Sequence, residues 1–115
     1  MEYNELNELA WSKLPTELRE RAVNILLENF GDPFFIEVSK LIWENGLNNW
    51  IPEFWHFGQG MEVRNILRQP EIGGPGIFDS ELPPLPEYYG REISNWDDYY
   101  IQVLECAVGI RSLTD

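Results

Sequence analysis

The amino-acid sequence predicts an all-α fold: one compact domain of about five helices, with a long ordered loop rich in proline and glycine before the last helix. Apolar residues recur three and four positions apart in successive segments, and the alternation typical of a half-buried strand is weak. Five of the eight prolines and four of the nine glycines fall between Pro70 and Gly90. A chain of 115 residues is long enough for one core and too short for two, so the predicted domain spans residues 1–115.

The first two helices follow from apolar spacing and from the residues that interrupt it. Residues 3–14 carry leucine and alanine at helical spacing. Pro15 ends this helix and opens a second one, because proline suits the first turn and disfavours helical backbone in the residue before it. Gly31 ends the second helix. The residues of this helix predicted to point inward are Leu18, Ala22, Ile25, Leu26 and Phe30. Those predicted to point mostly outward are Glu17, Arg19, Glu20 and Arg21.

A third helix is predicted to begin at Asp32 and to end at Gly46. Asp32 and Pro33 supply an N-cap and a first helical position, and glycine is typical of a helix end. Residues 47–57 are predicted to be irregular, since Pro52 disrupts a helix interior. The third helix is expected to turn four apolar residues inward, which are Phe35, Val38, Leu41 and Ile42.

A fourth helix is predicted over residues 58–69 and a last one after residue 94, with the long ordered loop between them. The last helix begins with Ser94-Asn95-Trp96-Asp97, which resembles a capping box with Asp in the place of Glu. Its core face follows at steps of four, three, four and three: Trp96, Tyr100, Val103, Ala107 and Ile110. Apolar side chains of the loop are expected to pack on the helices: Ile77, Phe78, Leu82, Leu85, Tyr88 and Tyr89.

The least ordinary residues are concentrated between His56 and Asn65. This stretch holds the only histidine, the arginine Arg64, and Gly58 and Gly60, where the backbone can turn or approach a neighbour closely. Two interpretations stay open. In one, His56, Arg64 and Asn65 bind a phosphate or a carboxylate, or His56 acts as a general base. In the other, Arg64 is held by carboxylates and organises the loops around it.

The sequence offers no set of catalytic, metal-binding or cofactor-binding residues. Glu53 and His56 have the spacing of carboxylate-bridged metal sites in helix bundles, but such sites repeat the motif and this chain has one histidine. Cys106 lies beside the predicted core positions Val103 and Ala107, so we expect a buried, unreactive thiol. Phosphate-loop, dinucleotide and nucleophile-elbow motifs do not occur in the sequence. We therefore predict no catalytic residue, no metal and no cofactor, and a non-enzymatic role is favoured.

The formal net charge is −12, from 20 acidic and 8 basic residues spread evenly along the chain. A negative surface argues against nucleic acid as a ligand and favours a basic protein as partner. Between Asp79 and Asp98 acids alternate with aromatic residues, and Arg91 is the one base. Aromatic anchors in an acidic field predict a partner-binding surface, formed by Glu87, Tyr88, Tyr89, Asp97 and Asp98. The alternative is a solvated acidic face, with its aromatic rings turned inward and its paired aspartates compensating a helix dipole.

The predicted compartment is the cytoplasm. The first residues lack the basic start and apolar run of a signal peptide, and the apolar runs are too short for a transmembrane helix. A single cysteine cannot form an internal disulfide. The sequence leaves the oligomeric state open.

Residues 56–65, HFGQGMEVRN, resemble the centre of a family of small bacterial and phage proteins of unknown function, with the signature H-F-G-x-G-x-x-x-R-N. Trp11 with the stretch from Leu14 to Leu18, and the stretch from Ile93 to Ile101, are similar to flanking parts of that family. The Pro/Gly loop is not matched. The resemblance implies one compact helical domain, and it implies no activity because the family has none established.

Three functions are compatible with these observations. The first is a small acidic cytoplasmic protein that binds a basic surface of another protein, as immunity factors and phage-encoded inhibitors of host nucleic-acid enzymes do. The second is a small-ligand binder or enzyme centred on His56, Arg64 and Asn65. The third is an accessory structural subunit of a larger assembly. The net charge favours the first.

Overall fold

The computed structural model describes residues 3–85 and 94–114. The regular structure within these residues is helical, which confirms the all-α prediction. Five of its helices have eight or more residues, and a shorter one, α4, precedes α5. The helices are α1 Tyr3–Lys13, α2 Thr16–Asn29, α3 Asp32–Asn45, α4 Glu53–Phe57, α5 Gln59–Arg68 and α6 Tyr100–Ala107. Within the described part of the connection between α5 and α6 lie the 3-10 turns Asp79–Glu81 and Trp96–Asp98.

The ends of α1, α2 and α3 lie close to where the sequence predicts them. Pro15 separates α1 from α2. Gly46 ends α3 with φ +89°, a left-handed conformation that glycine adopts without steric cost. Gly31 has extended backbone and is the N-cap of α3, one residue before the predicted cap at Asp32.

The helix α6 lies against α2, α3 and α5. Its predicted core face is confirmed, because Trp96, Tyr100 and Val103 are completely buried and Ala107 is partly buried. Tryptophan supplies much of the core, and Trp43 on α3 is the exception at 80% exposure. The tryptophans that are at most 1% exposed are Trp11, Trp50, Trp55 and Trp96.

Residues 47–57 were predicted to be irregular, but their second half forms the short helix α4. The carbonyl of Pro52 accepts hydrogen bonds from the backbone N–H groups of Trp55 and His56, at 3.0 and 3.2 Å. Pro52 is compatible with α4 because it precedes the helix, where its missing N–H removes no helical hydrogen bond. The burial of Trp55 then holds this short helix against the core.

The start of the last helix also differs from the prediction. Trp96–Asp98 forms a separate 3-10 turn before α6. Its N-cap is Asn95 rather than Ser94: the Asn95 side-chain oxygen accepts from the N–H of Asp97 at 2.8 Å. The carboxylate of Asp98 accepts from the N–H of Asn95 at 3.0 Å. The capping box is therefore present, shifted by one residue.

The long loop after α5 is held by Asn29 at the end of α2. The side-chain oxygen of Asn29 accepts from the backbone N–H groups of Glu71 and Ile72, at 3.0 and 2.9 Å. Farther along, the chain passes close to the end of α5: a Cβ on Gly76 would lie 2.1 Å from the carbonyl oxygen of Arg68. Only glycine permits this approach.

The same loop is fixed at its centre by Ile77. Its N–H donates to the carbonyl of Leu67 at 2.8 Å, and its carbonyl accepts from the indole of Trp96 at 3.0 Å. Ile77, Leu82 and Leu85 are buried as predicted, whereas Phe78 is 67% exposed. The predicted packing of Tyr88 and Tyr89 lies outside the described residues.

Arg19 on α2 was predicted to point outward, and it is 5% exposed. Its guanidinium donates to the carbonyls of Trp11, Leu14 and Leu113, at 2.6, 2.9 and 2.6 Å. It also lies over the Trp11 ring, 4.2 Å from the ring centroid. Two of these carbonyls lie where α1 ends, and the Trp11 carbonyl also accepts from the N–H of Leu14. Arg19 is buried because its guanidinium supplies donors to acceptors at this helix end.

Candidate functional site

His56, Arg64 and Tyr100 meet where α4, α5 and α6 converge. Gly60 permits this convergence, because a Cβ there would lie 3.0 Å from the Tyr100 hydroxyl oxygen and 3.2 Å from the Trp55 carbonyl oxygen. A larger side chain at this position would push α5 away from Tyr100. The predicted close approach at a glycine of this stretch is thus confirmed for Gly60.

A chain of polar contacts connects four side chains at this point. The carboxylate of Asp97 lies 2.8 Å from Nε of Arg64. Nη1 of Arg64 lies 3.3 Å from Nδ1 of His56, and the hydroxyl of Tyr100 lies 2.5 Å from the same nitrogen. The Arg64 guanidinium also lies 4.9 Å from the centroid of the Tyr100 ring, within cation–π range. Arg64 is 5% exposed, which agrees with the interpretation that carboxylates hold it.

The contacts at Nδ1 indicate which ring nitrogen of His56 carries the proton. A guanidinium has only N–H donors, so Nδ1 of His56 accepts, and the hydroxyl of Tyr100 donates to the same nitrogen. The neutral ring therefore carries its proton on Nε2. Burial lowers the pKa of His56, the positive charge of Arg64 lowers it further, and Asp97 acts in the opposite direction. With the Nδ1 lone pair occupied and the proton on Nε2, the ring of His56 offers no free lone pair to a substrate, which weakens the general-base interpretation.

Asn65 does not belong to this cluster. It follows Arg64 directly, and successive helical residues point about 100° apart. Its exposed side chain accepts from Nη1 of Arg68 at 3.4 Å and borders a separate depression next to Gly58 and Glu62. Of the predicted ligand-binding set, the structure brings together His56 and Arg64 and leaves Asn65 apart.

A groove of about 540 Å³ lies beside His56. It combines an apolar wall with amide side chains, and none of the described residues that line it carries a full formal charge at pH 7. The lining residues besides His56 include Asn48, Asn49, Ile51, Pro52, Phe57 and Ile101. Concave sites that are mostly apolar, with a few convergent polar groups, are typical of small-molecule binding.

A buried carboxylate holds one rim of this groove. Glu105 on α6 is completely buried. Its Oε2 accepts from the N–H of Asn48 at 2.6 Å and from the indole N–H of Trp50 at 3.0 Å. Its Oε1 accepts from Nε of Arg111 at 2.7 Å, and Arg111 also forms an ion pair with Glu8 on α1. Glu105 therefore connects α6 to the groove rim, to the C-terminal segment and, through Arg111, to α1.

Burial alone would lower the pKa of Arg111, but hydrogen bonds to Glu8 and Glu105 more than offset it, so that the pKa is raised. The sequence pattern gives no sign of this cluster, for a physical reason. Every residue of α6 from Tyr100 to Glu105 is buried. A helix that is covered on all sides shows no polar face by which an inward carboxylate could be recognised.

The five predicted partner-binding residues fall into three groups. Glu87, Tyr88 and Tyr89 lie outside the described residues. Asp97 keeps a half-exposed carboxylate that is paired with Arg64. Asp98 is 5% exposed and caps the turn before α6. Its charge is directed at a backbone N–H, so Asp98 is not on a surface that a partner could meet.

The outer face of α3, defined by Ile36 and Trp43, carries large exposed apolar side chains. Ile36 is 68% exposed and Trp43 is 80% exposed. They are seven residues apart, which places them two turns apart on one side of the helix. Val38 and Ile42, predicted to point inward, are buried on the other side. The exposed charged residues of α3 are Asp32, Glu37, Lys40 and Glu44.

Cys106 is partly buried, not fully buried as predicted. Its thiol lies close to the end of α6 at Ala107, where fewer neighbours cover the helix. The Cys106 sulfur lies 3.7 Å from the carbonyl oxygen of Ser112 and donates to it.

In residues 3–85 and 94–114, no helix combines the length and the apolar character needed to cross a membrane. The same residues contain no group of three or more histidine, cysteine, aspartate or glutamate side chains arranged to hold a metal ion.

Comparison with protein-family models, with curated proteins and with solved structures finds no match to this chain. The resemblance of residues 56–65 to the H-F-G-x-G-x-x-x-R-N family therefore stays a prediction. Function must be argued from the side chains of this structure, since a helical fold by itself does not define one.

Proposed function

We propose that this chain is a small acidic cytoplasmic protein that binds a basic surface of another protein, in the manner of an immunity factor or a phage-encoded inhibitor. The observation that carries the proposal is the exposure of Trp43, while the other four tryptophans are buried. An indole left in water forgoes a large gain in burial, and tryptophan is enriched at the centres of protein interfaces. The partner is proposed to cover Trp43.

Charge supports a basic partner for this surface. Asp32, Glu37 and Glu44 are exposed on α3, and Lys40 is the one base in that helix. The whole chain carries a net charge of −12. Complementary charge speeds association and disfavours acidic partners, nucleic acids included.

The arrangement resembles an anchored interface. Ile36 and Trp43 lie about 10 Å apart along the helix, from seven residues at a rise of 1.5 Å, and charged side chains surround them. Such an apolar centre with a polar rim is typical of protein interfaces. A stable interface covers about 800 Å² on each partner, more than these two residues provide. Leu47, exposed after the end of α3, is a candidate for part of the remaining area.

Selection of random displayed peptides against the full chain at low salt tests this proposal. The selected peptides should combine lysine or arginine with an apolar residue. Trp43→Ser should weaken their binding at least about tenfold, or 1.4 kcal/mol. Its free energy of unfolding should change by less than about 0.5 kcal/mol, because the indole is exposed. The matched control is Phe78→Ser, which removes an aromatic ring of similar exposure outside α3 and should leave binding unchanged.

A second pair of variants separates position from total charge. Glu37→Gln with Glu44→Gln removes two acids from α3, and Glu17→Gln with Glu20→Gln removes two exposed acids from α2. The first pair should slow peptide association much more at low salt, and the difference should fade at high salt. Selected peptides without basic residues, or equal effects of the two pairs, would contradict the proposed surface.

A further inference from the structure

We infer that the groove beside His56 is a binding site for a small uncharged molecule with a flat apolar part and a carbonyl oxygen. The site does not depend on the proposed protein partner, since its lining residues are outside the outer face of α3. Its volume of about 540 Å³ lies within the range of small-molecule sites. The inference is carried by the protonation of His56, by the apolar wall and by the charges around the groove.

His56 supplies a hydrogen-bond donor that the described residues leave unused. Both hydrogen bonds of its ring are at Nδ1, with Tyr100 and with Arg64. Among the described residues Nε2 has no hydrogen-bond partner, and the tautomer places the proton there. The two contacts at Nδ1 hold the ring in one orientation, so the donor is preorganised. A carbonyl oxygen is the matching acceptor.

The wall of the groove suits a flat apolar group. Ile51, Pro52 and Ile101 contribute aliphatic surface, and Phe57 adds an aromatic ring that is 66% exposed. The ring of Phe57 lies edge to face with His56, 5.2 Å between centroids. An aromatic ligand can pack against Phe57 while its carbonyl accepts from Nε2.

Charge disfavours anionic ligands in this groove, and the N–H donor of His56 disfavours cationic ones. Among the described residues, the cation in contact with His56 is Arg64, which is 5% exposed and paired with Asp97. A carboxylate ligand would therefore find no cation among the described lining residues and would be repelled by the net charge of −12. A cationic ligand would present N–H donors to the N–H donor of His56. A neutral acceptor avoids both penalties.

Three near-isosteric probes test the inference: benzamide, benzoate and benzamidine. In NMR titrations of the full chain, benzamide should give saturable shifts at Phe57, Ile101 and the Nε2–H proton of His56. It should bind at least about fivefold more tightly than either charged probe, since a donor left unpaired or opposed costs affinity. Benzamidine that binds here as tightly as benzamide, or benzamide shifts that do not saturate or that lie elsewhere, would overturn the inference.

Variants separate the donor from the wall. His56→Leu should weaken benzamide binding at least about tenfold, and Phe57→Ser, on the exposed rim, should weaken it while leaving the fold intact. Asn65→Ala, beside the other depression, is the control and should have no effect. Because His56→Leu also removes the contact with Tyr100, the ring nitrogens of the unaltered protein provide a second test. A spectrum in which Nδ1 rather than Nε2 carries the proton would refute the assignment.

Discussion

Replacement of Glu105 by alanine is predicted to lower the free energy of unfolding by about 3–5 kcal/mol, the usual cost of removing one partner from a buried ion pair. The side chain is completely buried and accepts hydrogen bonds from Asn48, Trp50 and Arg111. Without the carboxylate, these donors lose their acceptor. Arg111, whose side chain is 8% exposed, keeps Glu8 as its carboxylate partner within the described residues.

The size of this effect is large for a domain of this length. Total stability of small domains is about 5–15 kcal/mol, so the variant would lose a substantial part of it. The intrinsic helix preference of alanine slightly favours the substitution, so any loss is due to the tertiary contacts. Arg111→Ala should also destabilise, and the double variant should lose less than the sum, with a coupling of about 0.5–3 kcal/mol.

Urea unfolding followed by tryptophan fluorescence measures the free energy of unfolding and so tests this prediction, because four tryptophans are buried. Glu44→Ala is the matched control, since it removes the same side chain from an exposed position on α3 and should change stability by less than about 0.5 kcal/mol. If Glu105→Ala loses no more than the control, or if the effects of Glu105→Ala and Arg111→Ala are additive, the assignment of Glu105 as the link between α6, the groove rim and Arg111 is refuted.

Two further predictions concern the cluster around His56. Arg64→Ala should cost about 1.5–3 kcal/mol through lost charge-assisted hydrogen bonds. The side chain of Arg68 is 32% exposed and pairs with Asp79, so Arg68→Ala should cost less than about 1 kcal/mol. Equal melting temperatures of the two variants would contradict this prediction. Because the pKa of His56 is lowered in the folded state, the unfolded chain takes up the proton first as pH falls. The free energy of unfolding should therefore decrease as pH falls through about 6.5 and level off below the pKa of His56 in the folded state. Urea titrations of His56→Gln at the same pH values should lack this decrease.

Much of the helical framework could be predicted from local sequence. Pro15 separates α1 from α2 through its fixed backbone angle, and Gly46 ends α3 in a left-handed conformation, whereas Gly31 between α2 and α3 has extended backbone that other residues also adopt. The core face of α6 was predicted from spacing alone. The short helix α4 was missed because five residues carry too little periodicity, and its stability depends on the burial of Trp55.

The candidate site was predicted only in part. The single histidine and the arginine that follows it by eight residues drew attention to the right region of the chain. Tyr100 was assigned to the core, and its hydroxyl contact with His56 joins residues 44 positions apart. Asn48 of the groove gave no signal, because its backbone N–H is held by the carboxylate of Glu105, which is 57 residues away.

The sequence by itself determined that this is a helical, strongly acidic chain with one histidine and one cysteine, since propensity, spacing and charge are local or additive properties. Only the tertiary structure decided that Arg19 and Glu105 are inside and that Trp43 is outside. A helix pattern describes the faces of one helix, whereas burial depends on what covers each face. The carbonyls that hold Arg19 belong to the end of α1 and to Leu113, and they meet its guanidinium only when the chain has folded.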